Sequence, residues 1–383
     1  MLKFRWETEF KKTEIGEIPK DWEVRKLGEV VEVEWGNTTL TKKIYRTEGY
    51  PVFSATGQDG YADFYEREGE AVIVSAIGAY CGVCFYAKDK WTAIKNTLVL
   101  QSKKAPCSIK FLFYFLNDKE KWPELGSGQP FISKSAAEEV LIVYPPLPEQ
   151  ARIATVLSWF DDLIEVKKKQ NEILEKTAMA IFKNWFIDFE PFKNEEFVYN
   201  EELGREIPKG WEVKKLISVS SIISGRGRYL IEAKEGSYPL WGANGILGYI
   251  DNYDLEGFSI ITGRVGTLGN IFLVEGKFAI SDNVLCITPN HVNLTFFLYL
   301  WIKLQLDFEA LNVGTSQPLI TKTALGNKPI IFPPPHILQS FHSLVEPLFQ
   351  KIILNQKQIM TLRKIKDTLL PLLVFGKLRV EEM

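Results

Sequence analysis

The run Ser224-Gly-Arg-Gly-Arg228 combines two guanidinium groups with glycines that let a backbone come close to a ligand. Arginine can grip a guanine edge with two hydrogen bonds or enter a groove, so Arg226 and Arg228 are candidate DNA contacts. The competing reading is a solvated hairpin tip. A second polar run, Gly36-Asn-Thr-Thr-Leu-Thr-Lys-Lys43, offers Asn37, Thr38, Lys42 and Lys43 on the same grounds, although charged loops are often merely solvated. Arg264, in Gly263-Arg-Val-Gly-Thr-Leu-Gly269, is a further candidate; otherwise the turn is structural and Arg264 merely pairs with a carboxylate. Gln129 and Gln317 precede prolines in matching runs, and Lys134 and Lys322 follow five positions later. Glutamine can read adenine, but agreement between the runs favours backbone or phosphate contact, as do the lysines.

Other spacings exclude chemistry. Cys81-x-x-Cys84 needs two more ligands to hold zinc. No second Cys pair exists, and His291, His336 and His342 form no cluster with it, so a buried structural pair is expected and no metal. Nothing calls for a cofactor. A nuclease needs clustered carboxylates beside a lysine, and no such set is evident. An adenine N6 methyltransferase resembles families with Asn/Asp-Pro-Pro-Tyr/Phe at the base pocket. Tyr144-Pro-Pro-Leu147 and Phe332-Pro-Pro-Pro335 lack the acid or amide before the prolines, and Gly126-Ser-Gly128 does not join a strand to a helix.

The elements that position these residues follow from a repeat. Glu17-Ile-Pro-Lys-Asp-Trp-Glu-Val-Arg-Lys-Leu27 returns as Glu206-Ile-Pro-Lys-Gly-Trp-Glu-Val-Lys-Lys-Leu216. Tyr50-Pro-Val-Phe-Ser-Ala-Thr-Gly57 returns as Tyr238-Pro-Leu-Trp-Gly-Ala-Asn-Gly245, and Gly128-Gln-Pro-Phe-Ile-Ser-Lys134 as Ser316-Gln-Pro-Leu-Ile-Thr-Lys322. The offset holds at about 188 positions, which chance does not sustain. Ala76-Ile-Gly-Ala-Tyr-Cys-Gly82 then answers the Arg264 turn: Gly78 and Gly266 predict one geometry, and the differing side chains predict different bases read.

Within each copy, β-branched and aromatic runs bounded by Gly and Asn predict strands at 71–76, 97–101, 258–262 and 284–288. Apolar helices are expected at 109–116 and 294–306, then a proline stop. A long helix follows each stop. Leu338, Phe341, Val345, Leu348, Ile352, Asn355, Ile359, Leu362, Lys366, Leu369 and Leu373 step by three and four, the pattern of a coiled-coil seam. Asn355 is a polar residue able to fix register, and Lys366 interrupts the stripe. The first copy shows Ile153, Val156, Phe160, Leu163, Leu174, Ala178, Ile181 and Trp185. A helix of some 36 residues is roughly 54 Å long, and two such stripes most simply pair. DNA repeats every turn, so two readers held roughly 34 Å apart, or a multiple, face one side of a duplex.

Composition agrees with an ordinary globular chain: 383 residues, 46% hydrophobic, 25% charged. That length suggests two or more domains. A net charge of −2 argues against indiscriminate coating of DNA while allowing a basic face. No signal peptide or membrane span is apparent, since the greasiest stretch, 294–306, is short and carries Lys303. Four cysteines are too few for a disulfide framework, so a cytoplasmic location is expected.

The Ile-Pro-Lys-x-Trp-Glu-Val-x-Lys-Leu motif, the Pro146-Leu-Pro-Glu-Gln150 run and Phe182-Lys-Asn-Trp-Phe-Ile-Asp-Phe189 resemble the specificity subunit of type I restriction-modification systems. The resemblance covers nearly the whole chain, in both copies. It implies an α+β fold of two similar α/β target recognition domains, each followed by a long helix. The helices would form an antiparallel coiled coil with pseudo-two-fold symmetry. It implies a bipartite double-stranded DNA target, two methyltransferase (modification) subunits that methylate adenine at N6, and restriction subunits that join them. Catalysis would belong to those partners. Trp185 and Phe186 are then a candidate docking patch, or else core packing at the end of the helix. The second long helix lacks a Pro-Glu-Gln opening, having Pro335-His-Ile-Leu-Gln339 instead, so its docking surface need not match the first.

The expected domains are 1–145, a first recognition domain; 146–190, the first long helix; 191–332, a second recognition domain; and 333–383, the second long helix and tail. The alternative is a protein-interaction scaffold, or an orphan DNA-binding homologue without restriction partners.

Overall fold

The computed structural model describes residues 2–102, 106–123, 125, 128–225, 236–314 and 317–382. The chain divides into two compact units, one formed by Met1–Val166 with Gln358–Met383, the other by Lys167–Lys357.

In the first unit, Cys84–Ala87, Ala71–Ser75, Thr97–Ser102 and Val31–Trp35 lie side by side in an antiparallel sheet. Ala71–Ser75 is buried along its whole length, as a continuous apolar run in a central strand should be. A second sheet orders Gly57–Ala62, Tyr50–Ser54, Lys90–Ala93 and Arg67–Glu68, with one parallel pair, Thr92 opposite Val52. The helix Ile109–Leu116 covers the first sheet, capped by the Ser108 hydroxyl, which accepts from the Phe111 amide over 3.2 Å. Phe111, Leu112 and Phe115 are buried in the core.

The second unit repeats this order. Ser220–Ser224, Val284–Pro289, Ser259–Gly263 and Ile271–Val274 make its first sheet, and Gly245–Ile250, Tyr238–Gly242, Lys277–Ile280 and Leu255–Glu256 its second. Even the irregularities match: the register shifts at Val52/Phe53 in one and at Leu240/Trp241 in the other. The apolar helix is Thr295–Gln305.

Two helices of 40 residues, Leu147–Phe186 and Pro335–Val374, each pass from one unit into the other. Within the second unit their segments run antiparallel: Phe341 packs on Phe182 and Phe186, while Asn355 bonds Asn171. Asn355 is fully buried, and its amide donates to Asn171 Oδ1 over 2.9 Å, so the polar seam residue finds a polar partner. Within the first unit Lys366, the residue that breaks the stripe, pairs with Asp161, which also accepts from Tyr114 Oη over 2.7 Å. Glu175 plays the matching part in the second unit, bonded by Tyr299 and Lys303.

Leu163 was expected in the seam and is 43% exposed, whereas Ile164 is 8% exposed. The strict three-four alternation from Ile153 runs through Leu157, Phe160, Ile164, Lys167, Asn171, Leu174 and Ala178. The polar stretch at 167–170 hides that phase from a hydrophobicity count. Phe349 and Ile353 are buried beside Leu348 and Ile352 because this helix also packs on the domain: the Phe349 ring stacks on Phe296 at 4.5 Å.

The first unit is closed by its tail. Leu378–Glu382 pairs antiparallel with Leu2–Trp6. Arg379 there bonds Glu149 at 2.6 and 2.7 Å, Asp21 at 3.0 and 2.9 Å, and Glu7 at 2.6 Å. Glu149 also accepts from Trp22 Nε1 over 3.0 Å. Gln150 accepts from the Ser108 amide and donates to the Pro145 carbonyl. Glu149 and Gln150 of the Pro-Glu-Gln run thus form a buried structural lock. Pro335-His-Ile-Leu-Gln339 has no glutamate to make one.

Candidate nucleic-acid interface

The Gln-Pro-x-Ile-Ser/Thr-Lys motif and the glycine turn opposite it are assembled identically in both units. Gly78 has φ +94° and donates its amide to the Pro130 carbonyl over 3.0 Å; Gly266, φ +78°, donates to Pro318 over 3.0 Å. Only a residue without Cβ enters that backbone region cheaply. Ile132 and Ile320, both fully buried, anchor the motif and donate to Ala76 and Arg264 carbonyls over 2.9 Å. Ser133 and Thr321 then cap five-residue helices, each hydroxyl accepting from an amide over 3.1 Å. Almost every shared residue of the motif therefore has a structural task.

The exceptions are the exposed Gln129 and Gln317, whose side chains lie over Gly78 and Gly266, and the exposed lysines. Lys134 approaches Glu138 at 3.9 Å, while Lys322 makes no ion pair among the described residues.

In the first unit the structure ties down part of the polar run. Asn37 Oδ1 accepts from the Thr39 amide and hydroxyl, and its Nδ2 donates to Glu66 over 2.6 Å. Lys42 bonds Asp59 at 2.6 Å. Burial pushes the Asp59 carboxyl up, but bonds from Lys42, Thr56, Tyr45 and Ser54 outweigh it and hold the group at about 2. Thr38 and Lys43 are exposed. Arg226 and Arg228 lie outside the described residues. At Gly225, the last described residue before them, a Cβ would lie 2.0 Å from the Ile280 carbonyl oxygen. Gly225 and the Arg264 turn thus flank one end of the second unit's sheets, since the Arg264 amide donates to Asn283 O over 2.8 Å.

Arg264 does not pair with a carboxylate among the described residues, and its Nε is buried without a partner. Trp185 and Phe186 pack into the second unit's core on Phe341, Phe192 and Trp211. Phe186 is 3% exposed and offers a partner no surface. Cys81 and Cys84 are buried, and no group of three or more His, Cys, Asp or Glu side chains that could hold a metal occurs among the described residues. Burial raises Cys107 to about 12 and Cys286 to about 11, so neither is a ready nucleophile. No described helix is long and apolar enough to cross a membrane.

A two-sheet module is thus built twice, each copy presenting a glycine turn locked under a Gln-Pro motif and each followed by a long helix. A family model for the type I restriction modification DNA specificity domain matches residues 19–176 and again 208–364. The chain is 40% identical to the type I restriction enzyme MjaIX specificity subunit of Methanocaldococcus jannaschii, over all of this chain and 99% of that one. It is 27% identical to the MjaVIII specificity subunit of the same organism, with the same coverage. The crystal structure of a type I restriction-modification S subunit from M. genitalium superposes with a TM-score of 0.60 at 22% identity, covering 94% of this chain and 96% of that one. The chain belongs to the type I restriction-modification specificity-subunit family.

Proposed function

We propose that this chain reads a bipartite double-stranded DNA target, one block per unit, and carries two modification subunits, with restriction subunits joining them. Methylation and cleavage are the partners' work; this chain supplies recognition and spacing. The observation that carries the reading is the glycine turn. One frame, held by the same hydrogen bonds to within 0.1 Å, bears Ala76 and Ile77 in the first unit and Arg264 and Val265 in the second. A fixed frame with variable side chains is what separate base readers need.

Gln129, Gln317, Lys134 and Lys322, which the units share, serve phosphate or backbone contact. Asn37, Thr38, Lys42, Lys43, Arg226, Arg228 and Arg264 differ between the units and supply sequence discrimination. For Asn37 and Lys42 that role requires exchanging Glu66 and Asp59 for DNA.

The test is to co-express the chain with its modification subunits, replace residues 20–144 by the domain of another family member, and map methylated adenines. One block should change and the other persist. Change in both blocks refutes modular reading, and a wild-type complex that enriches nothing from a randomised DNA pool identifies a scaffold instead.

A further inference from the structure

We propose that Arg264 and Asp282 read one G·C base pair in the block bound by the second unit, Arg264 donating to guanine and Asp282 accepting from cytosine N4. This rests on the DNA-reading function above and assigns chemistry to one of its positions.

Arg264 and Asp282 sit on adjacent loops tied by the 2.8 Å bond from the Arg264 amide to the Asn283 carbonyl. Opposite charges so close in the chain's backbone network ordinarily pair. Here they form no ion pair with each other or with any described residue, and both Arg264 Nε and Asp282 Oδ1 are buried without a hydrogen-bond partner. Neighbouring Thr262 and Ser281, each fully buried, also leave their hydroxyls unpartnered. Buried polar atoms without partners oppose folding, and these four belong to two segments joined by that backbone bond; Arg264 and Asp282 are themselves only half-buried, so each side chain can still reach a ligand.

The first unit shows that the fold itself does not require them. By strand register and the repeat, Val74, Ala76, Ile94 and Lys95 occupy the places of Thr262, Arg264, Ser281 and Asp282. The first unit leaves one buried hydroxyl, Ser75 Oγ, unpartnered there, but the charged pair is particular to one reader.

Asp282 decides the ligand. A carboxylate repels phosphates and weakens non-specific binding to DNA. Its natural use at such a surface is to accept from the cytosine N4 amino group, while arginine binds guanine O6 and N7. Together they match the two halves of one pair, in a register that a T·A pair cannot satisfy.

The experiment uses the complex with modification subunits, a randomised DNA pool and the variants Arg264→Ala and Asp282→Asn. Both should lose discrimination at the same G·C position of the second block, by about tenfold, and leave the first block unchanged. Their effects on non-cognate DNA should have opposite signs: Arg264→Ala binds it more weakly, and Asp282→Asn binds it more tightly. Retention of the first block reports that each variant is folded. If the wild type selects a bipartite motif and Asp282→Asn selects the same motif unaltered, the assignment is overturned while the general function stands. If the wild type selects nothing, the general function fails first. Uniform weakening across all positions in both variants also overturns it, because that marks phosphate contact.

Discussion

Asn355 is buried against Asn171, its amide 2.9 Å from the Asn171 oxygen, yet its own Oδ1 has no partner. A buried amide so incompletely satisfied costs stability and repays it in register, since only one alignment of the helices joins the two asparagines. Replacing both with leucine should raise Tm by about 2 °C or more. Calorimetry of the double variant checks this; a lower Tm would show that the pair is net stabilising.

Gln129→Ala and Gln317→Ala should each weaken DNA binding by about 1 kcal/mol without altering the selected bases. The two side chains lie over equivalent glycines in equivalent geometry, so a base-reading role would force both blocks to share a base. Selection from a random pool that loses one adenine preference contradicts this.

Arg379 concentrates the first unit's polar contacts, with its side chain 10% exposed and that of Glu149 4%. Arg379→Ala should destabilise by about 3–5 kcal/mol, because it leaves Glu149 buried without its counter-charge. Urea unfolding measures this, and a loss below 1 kcal/mol would place the network's energy elsewhere.

Stability should also fall in acid through identifiable groups. Amide bonds from Glu9 and Thr8, and the Arg379 guanidinium, hold Glu7 at about 2, below its ordinary 4.5. A depressed carboxyl stabilises the fold above its unfolded value and loses that contribution as pH drops through the folded one. The urea midpoint should therefore decline between pH 4.5 and 2, and Glu7→Gln should flatten that decline. Asp59, also held at about 2, contributes over the same range below 3.8.

The long helices set the spacing under the proposed function. Inserting one helical turn, about four residues, near Lys168 should change the tolerated gap between blocks and leave the specified bases alone. Methylation mapping reads both properties at once; an unchanged gap removes the helix from spacing.

The repeat made the architecture legible, because two copies in register reveal which residues the frame demands. The Ile109–Leu116 helix and the central strands were readable from apolar runs alone. The seam phase near Leu163 was not, since Lys167 and Asn171 occupy seam positions without looking apolar. Nor was the Glu149–Arg379 lock, whose members lie far apart in sequence, nor the backbone bond that places the Arg264 and Asp282 segments side by side. Asp282 carried no signal as a DNA contact because its charge has the wrong sign for one.

The discontinuity of the first unit governs biogenesis. Lys167–Lys357 is a single uninterrupted span and can acquire its structure while the ribosome is still working. The other unit cannot, because its helix partner, the strand beside Leu2–Trp6 and the Arg379 counter-ion all follow that span in the chain. The unit whose first segment is made earlier is thus the later one to mature, the reverse of the usual vectorial order. Until the segment carrying Arg379 is made, one reader is complete and the other waits with an unsheltered glutamate.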